Sequence, residues 1–292
     1  NNSKGENTQG LEVKKLVCGQ FGTDTKTQKN GNRVHQGIFD GIGKPVDNTA
    51  FFGEMLWAAT LGGVVAWDVE SGASTTYTTL DGLPHIGAHA VTVCDIPETT
   101  LIAATTHGLA TYDPASDQWQ DGAFLLDFSE GTIGPSIFND TARITDVVCD
   151  QANGRLIMAH NDVTVLDLSD GVVTSYSKNN DGLAWGAVED IEVIGSDIWV
   201  ASGFKGVSVI HSDGSVTIYN SETGFPADKV HDIETEANGT IYMAADEGLV
   251  VLNSDGTTRL INQENEASLP AGAIYSLESV SYTHLRAHET PL

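Results

Sequence analysis

Five short strings recur along this chain and constrain its fold more than any other feature. LWAAT, LIAAT, LIMAH, IWVAS and IYMAA begin at Leu56, Leu101, Leu156, Ile198 and Ile241, spaced 45, 55, 42 and 43 residues apart. Self-similarity at such a period marks a tandem array of one supersecondary unit. A tight turn and a second apolar run follow each string: GGVVAWD, HGLATYD, DVTVLD, KGVSVIH and EGLVVLN. Next come a polar turn, an alternating third run (STTYTTL, VVTSYS, SVTIYN, TTRLIN) and a fourth run (AVTVCD, ITDVVCD, VEDIEVI, KVHDIET). Short alternating runs bounded by Gly, Asn and Asp are strands. Asp-Gly and Gly-Gly pairs supply the positive φ that hairpin turns need. Four short antiparallel strands per unit predict an all-β chain, a β-propeller of four-stranded antiparallel blades. The five recognisable repeats, over residues 51–279, are read as an incomplete ring of about six to eight blades. The polar segment 1–50 precedes them and is expected to supply part of a preceding blade. The recurrent strings are rich in small residues (Ala58, Ala59, Ala103, Ala104, Ala159, Ala201, Ala244, Ala245), so they are expected to be the innermost strands, crowded at the axis. Trp57 and Trp199 share one slot and are expected to pack between blades.

Charge narrows the partners. The net charge is −26, and Leu56–Ser279 carries six basic against 33 acidic residues. Such a surface repels nucleic acid and anionic lipid. It suits a solubility coat in an extracellular setting. No run approaches the roughly 18 apolar residues of a membrane span, so this stretch is expected not to cross a membrane, any anchor belonging to a longer parent.

The last residues are set apart. Val280–Thr290 reads VSYTHLRAHET, which resembles the in-frame translation of a transposon mosaic-end sequencing adapter. Residues 280–292 are therefore excluded as non-native, and His284 and His288 with them.

The three cysteines do not fix a compartment. Cys94 and Cys149 close equivalent runs in consecutive repeats. Equivalent positions in neighbouring blades need not lie within the roughly 7 Å between Cα atoms that a disulfide requires. Both therefore read as small buried apolar side chains, and Cys18 stands without a partner.

These units resemble the two-component regulator propeller repeat. The resemblance rests on Leu56-Trp57 with Gly62-Gly63, Gly108-Leu109 with Tyr112-Asp113, and Gly248-Leu249. It rests also on Asp81-Gly82-Leu83-Pro84, echoed by Asp181-Gly182-Leu183, Gly224-Phe225-Pro226 and Leu269-Pro270. The second repeat lacks the Asp-Gly-Leu-Pro element, and the third has Asn161-Asp162-Val163 in place of Gly-Leu. What the resemblance implies is an extracellular or periplasmic sensing or recognition propeller, the input domain of a two-component signalling protein, without catalysis. Two other readings stand beside it. One is a propeller enzyme, quinoprotein-like or a lyase, with a site at the central channel. The other is a structural module of an acidic surface protein.

No cofactor and no metal site are expected. His85 and His89 have ligand types at i and i+4 but sit in a loop beside Pro84, and two ligands do not make a zinc site. Asp68, Asp113, Asp167 and Asn253 are expected to start turns by bonding their own backbone. The irregular feature is Gln120–Asn139, an apolar insertion in the second repeat. It reads as a cap on a blade or as a recognition patch. In the second case Trp119, Phe124 and Phe128 would bind an unknown small molecule, glycan or protein.

Overall fold

The computed structural model describes residues 46–277 apart from 96–97, 122–142, 180, 185–186, 237, 268 and 270–271. Every sheet among these residues has four antiparallel strands in chain order. The first comprises β1 (Val46–Phe52), β2 (Met55–Thr60), β3 (Gly63–Asp68) and β4 (Ser74–Tyr77). The second comprises β5 (Ala88–Asp95), β6 (Thr99–Thr105), β7 (Gly108–Asp113) and β8 (Gln118–Asp121). The third holds β9 (Asp146–Asp150), β10 (Arg155–Ala159), β11 (Val163–Asp167) and β12 (Val173–Tyr176). The fourth holds β13 (Val188–Ile194), β14 (Asp197–Ser202), β15 (Val207–Ile210) and β16 (Val216–Tyr219). The fifth holds β17 (Val230–Thr235), β18 (Ile241–Ala245), β19 (Gly248–Leu252) and β20 (Thr258–Ile261). This is an incomplete β-propeller of five blades.

Each blade begins one strand earlier than the sequence repeat does. The run that closes one sequence unit is the first strand of the next sheet. These first strands, β1, β5, β9, β13 and β17, pack against one another in succession and so line the axis. That corrects the expectation for the Ala-rich strings, which are second strands. Their alanines are small because each stands directly across from the axial position of its first strand: Ala59 from Asn48, Ala104 from Ala90, Ala159 from Asp146, Ala201 from Asp190 and Ala244 from Asp232. All five alanines are fully buried. Val46–Phe52 likewise belongs to the first blade and not to a preceding one. The tail 280–292 and Cys18 lie outside the described residues.

The cores lie between blades. Trp57, Ala59, Val64 and Ala66 of blade one meet Val91, Leu101, Ala103 and Trp119 of blade two. Trp199, Val207 and Val209 of blade four meet Ile233, Met243 and Val250 of blade five. Trp57 packs against Tyr112 and Trp119 of blade two (4.6 and 6.0 Å between centroids) and Trp199 lies in the core shared by blades four and five, so the shared Trp slot is an inter-blade packing position. The Asp-Gly-Leu element has a mechanical role. Thr78 and Asp81 form a capping box around a single 3₁₀ turn, Gly82 takes φ +95°, and Leu83 drops into the core between blades one and two. Leu183 and Phe225 plug the two later joints in the same way. Gly63 and Gly206 are required where they stand: both have positive φ, and a Cβ would overlap the Tyr77 or Tyr219 carbonyl oxygen.

Consecutive blades are fastened at the axis by side chains. The Asn48 amide oxygen accepts from Val91 N–H (3.5 Å), the Asp146 carboxylate from Ile191 N–H (3.0 Å) and the Asp190 carboxylate from Ile233 N–H (2.9 Å). Asp232 accepts from Leu277 N–H in turn. Ile274 N–H bonds the Ala245 carbonyl (2.9 Å) as Ile144 N–H bonds that of Thr105 (3.1 Å). The segment 274–277 thus occupies the place of a sixth first strand against blade five.

One joint is covalent. Cys94 of β5 and Cys149 of β9 form a disulfide with Cα atoms 5.5 Å apart. This corrects the reading of both as inert buried thiols. First strands converge at the axis, which brings equivalent positions of neighbouring blades within bridging distance.

Candidate recognition face

Antiparallel topology sorts the connections to two ends of the ring. One end carries the β1–β2 and β3–β4 turns and their counterparts. The other carries the β2–β3 turns and the links from each fourth strand to the next blade.

The turn end is acidic and locally satisfied. Asp68 accepts from the N–H groups of Glu70 and Ser71 (2.9 and 3.0 Å), Asp113 from Ala115 and Asp167 from Ser169. The Ser116 hydroxyl on Asp113, the Ser169 hydroxyl on Asp167 and these backbone bonds to their own turns hold all three carboxyls below the ordinary carboxylate value. They start turns as the sequence indicates. His211, in the matching slot of blade four, instead reaches Asp197 through Nδ1 (2.9 Å) and Thr217 through Nε2 (2.9 Å). Asn253 bonds the Thr257 hydroxyl from its amide.

The loop end has a different composition. Among the described residues, five of the eight exposed large hydrophobic side chains are there: Leu61, Leu80, Ile86, Phe204 and Tyr275. So are five of the six described histidines, His85, His89, His107, His160 and His231, and four of the six described basic residues. In a chain of net charge −26, that is a marked concentration of apolar and basic groups.

The richest part spans blades four and five and the sixth position. Phe204, in the β14–β15 turn, is 57% exposed, and Tyr275 is 59% exposed. Lys229 Nζ stands 6.0 Å from the Phe204 ring centre, within cation–π range. It also pairs with Asp246 at 3.3 Å. Asp246 receives His231 Nε2 at 2.8 Å, and the His231 ring lies 4.7 Å from that of Tyr275. Burial pushes the Asp246 carboxyl up, but hydrogen bonds from His231 and Lys229 hold it below the ordinary value. Phe204, Lys205, Asp228 and Lys229 line a shallow concavity of about 410 Å³. Lys205 adopts φ +70°, rare for a residue with a side chain, and reaches Glu222 at 3.0 Å. Two exposed rings flanking an ordered charge network can hold a flat or partly apolar ligand by stacking while the charges fix its orientation.

The sequence-derived candidates fall elsewhere. Trp119 is 3% exposed in the core between blades one and two, where it touches Trp57, Tyr77 and Tyr112. Its indole N–H has no hydrogen-bond partner among the described residues. Phe124 and Phe128 lie outside the described residues, as does most of the insertion. His85 and His89 do not converge: His85 Nδ1 accepts from Gly87 N–H (2.9 Å), and His89 Nε2 pairs with Thr106 (3.1 Å). Among the described residues no group of three His, Cys, Asp or Glu side chains is arranged to hold a metal ion.

The central channel holds a feature that sequence reasoning missed. Asp146, Asp190 and Glu192 interact there with Asp232 and Glu234. Desolvation raises the Asp146 carboxyl to about 6, against bonds from Val147 and Ile191 N–H that pull it down. Desolvation, followed by the charges of Asp146 and Asp232, raises Asp190 well above its ordinary value. Desolvation, then Glu234, raises Glu192 to about 7. The recurring Asp before Val or Ile in ITDVV, VEDIE and VHDIE was the available signal. It was hidden because an isolated Asp in an alternating run looks like any outward-facing polar residue.

No family model matches the sequence, and no curated protein does. Solved structures resemble the fold. The extracellular domain of the putative hybrid two component system BT3049 from B. thetaiotaomicron superposes with a TM-score of 0.60 at 15% identity, over 82% of this chain and 32% of that one. The extracellular domain of the putative one component system BT4673 from the same organism gives 0.56 at 15% identity, over 70% and 27%. Virginiamycin B lyase from Staphylococcus aureus gives 0.53 at 12% identity, over 75% and 71%. The chain therefore spans about a third of the BT3049 domain. At these identities the likeness is one of fold. It is consistent with the two-component regulator propeller repeat to which the sequence motifs point. Among the described residues no helix is long and apolar enough to cross a membrane.

Proposed function

We propose that this chain is a sensing or recognition part of an extracellular or periplasmic propeller, belonging to the input side of a two-component-type signalling protein and performing no catalysis. The observation that carries this reading is the segregation of exposed rings, histidines and basic side chains to the loop end of an otherwise acidic ring. The Cys94–Cys149 bridge suits an oxidising compartment. Two of the neighbouring structures are extracellular domains of a putative one component system and a putative hybrid two component system. The ligand is a small molecule, glycan or protein, and the charge disfavours nucleic acid.

A lyase shares the fold, so an enzyme with a site in the channel is the competing reading. The channel carboxylates favour the structural role, because Asp146 and Asp190 already accept backbone N–H groups from the next blade. The test is a binding screen of soluble oligosaccharides and peptides against the wild type and a Phe204→Ala/Tyr275→Ala variant. Binding is expected to weaken about tenfold or more, as loss of central aromatic contacts does, with unchanged melting. Equal binding by both proteins overturns the assignment of the face.

A further inference from the structure

The axial fasteners are interrupted once, and the disulfide lies at the interruption. The axial position across from the second-strand alanine holds Asn48, Asp146, Asp190 and Asp232 in blades one, three, four and five, but Ala90 in blade two. Ala90 offers no side-chain acceptor to blade three. Val147 N–H, the group that would be fastened there, turns to the carboxylate of its own neighbour Asp146 (2.8 Å). Asp146 therefore serves two N–H groups, Val147 through Oδ1 and Ile191 through Oδ2. Among the described residues, two N–H bonds still cross the joint, from Ile144 N–H to the Thr105 carbonyl and from Asp95 N–H to Gln151 Oε1 (both 3.1 Å). The Cys94–Cys149 bridge joins the same two strands.

We propose that the Cys94–Cys149 bridge is the fastener of the joint that lost its axial acceptor, and that a dithiol reductant opens this joint selectively. In that step the Sγ–Sγ bond breaks, Cys94 and Cys149 each gain a proton and one electron, and the reductant closes its own disulfide. The neighbouring joints keep their side-chain acceptors, the Asn48 amide and the Asp146 carboxylate, and are unaffected. Blades one and two then move as one body, and blades three to five as another. The loop-end patch on blades four and five belongs to the second body.

The test is amide hydrogen exchange of the full chain before and after treatment with dithiothreitol. Peptides covering 88–95 and 144–150 are expected to exchange about fivefold faster or more when reduced, with 188–194 and 230–235 nearly unchanged. Uniform acceleration of all first strands, or none, overturns the proposal, as does finding Cys94 and Cys149 as free thiols in the untreated protein. Ala90→Asn installs the acceptor that blade one already has in Asn48. It is expected to cut the acceleration on reduction to less than half. Full acceleration in a folded Ala90→Asn protein overturns the compensation. Should that variant fail to fold, Cys94→Ser/Cys149→Ser must reproduce the reduced pattern without reductant. If its joint exchanges like that of the oxidised wild type, the bridge is not the fastener.

Discussion

Trp119 shows how a residue type misleads when its place is unknown. An aromatic at the edge of an apolar insertion looks like a ligand contact. In the fold it closes an aromatic core with Trp57, Tyr77 and Tyr112. Both tyrosine hydroxyls in that core bond Asp117 Oδ1 (2.7 and 2.6 Å). Replacing a buried Trp by Ala costs about 3–5 kcal/mol, so Trp119→Ala is expected to lower the denaturant midpoint strongly. A folded, equally stable variant would return Trp119 to the list of surface candidates. Arg155 is a second single-residue test. It pairs with Asp150, which is buried, and bonds the Ser196 carbonyl of the next blade (3.1 Å). Arg155→Ala leaves a buried carboxylate without its counter-charge, held among the described residues only by the Asn153 N–H and amide, and is expected to cost about 3 kcal/mol, read from urea unfolding. A loss within the few tenths typical of exposed pairs would contradict it.

At the scale of the element, the strands were legible and their assignment to sheets was not. Period-two alternation and Gly-rich turns mark strands locally. Which strand sits at the axis is decided by contacts between blades, which no local pattern reports. The small size of Ala59, Ala104, Ala159, Ala201 and Ala244 pointed to crowding correctly. The crowding comes from the axial side chains opposite them. Those side chains give the ring a pH dependence. Folding raises the carboxyls of Asp146, Asp190 and Glu192 above their ordinary values. The folded state therefore holds protons more tightly than the unfolded one. The stability from this source is complete below the unfolded carboxylate range and is lost as pH rises through about 6 and 7. For Asp146 alone the loss is on the order of 3 kcal/mol. The exposed turn aspartates, Asp68, Asp113 and Asp167, act oppositely and only in stronger acid, since their carboxyls are lowered. The thermal midpoint is expected to be higher at pH 5 than at pH 8 by about 3 °C or more. Asp190→Asn should shrink that gap. A midpoint that falls steadily from pH 8 to pH 5 would contradict the channel account.

At the scale of the whole molecule, sequence repetition was enough to establish the propeller, and composition to describe an acidic ring. The recognition face was not legible. Phe204, Lys229, His231, Asp246 and Tyr275 come from different strands and turns, and only the convergence of blades brings them together. No spacing rule links an exposed Phe in one hairpin to a Tyr some seventy positions on. The central functional claim is that this end binds without doing chemistry. The most direct measurement incubates the wild-type protein with a library of soluble oligosaccharides and peptides. Bound and unbound members are then recovered for mass analysis. The account predicts that bound members return with unchanged mass and are lost from the Phe204→Ala/Tyr275→Ala variant. Cleavage or elimination of any member by the wild type, abolished by substituting a channel carboxylate such as Glu192, would contradict it and make the protein an enzyme.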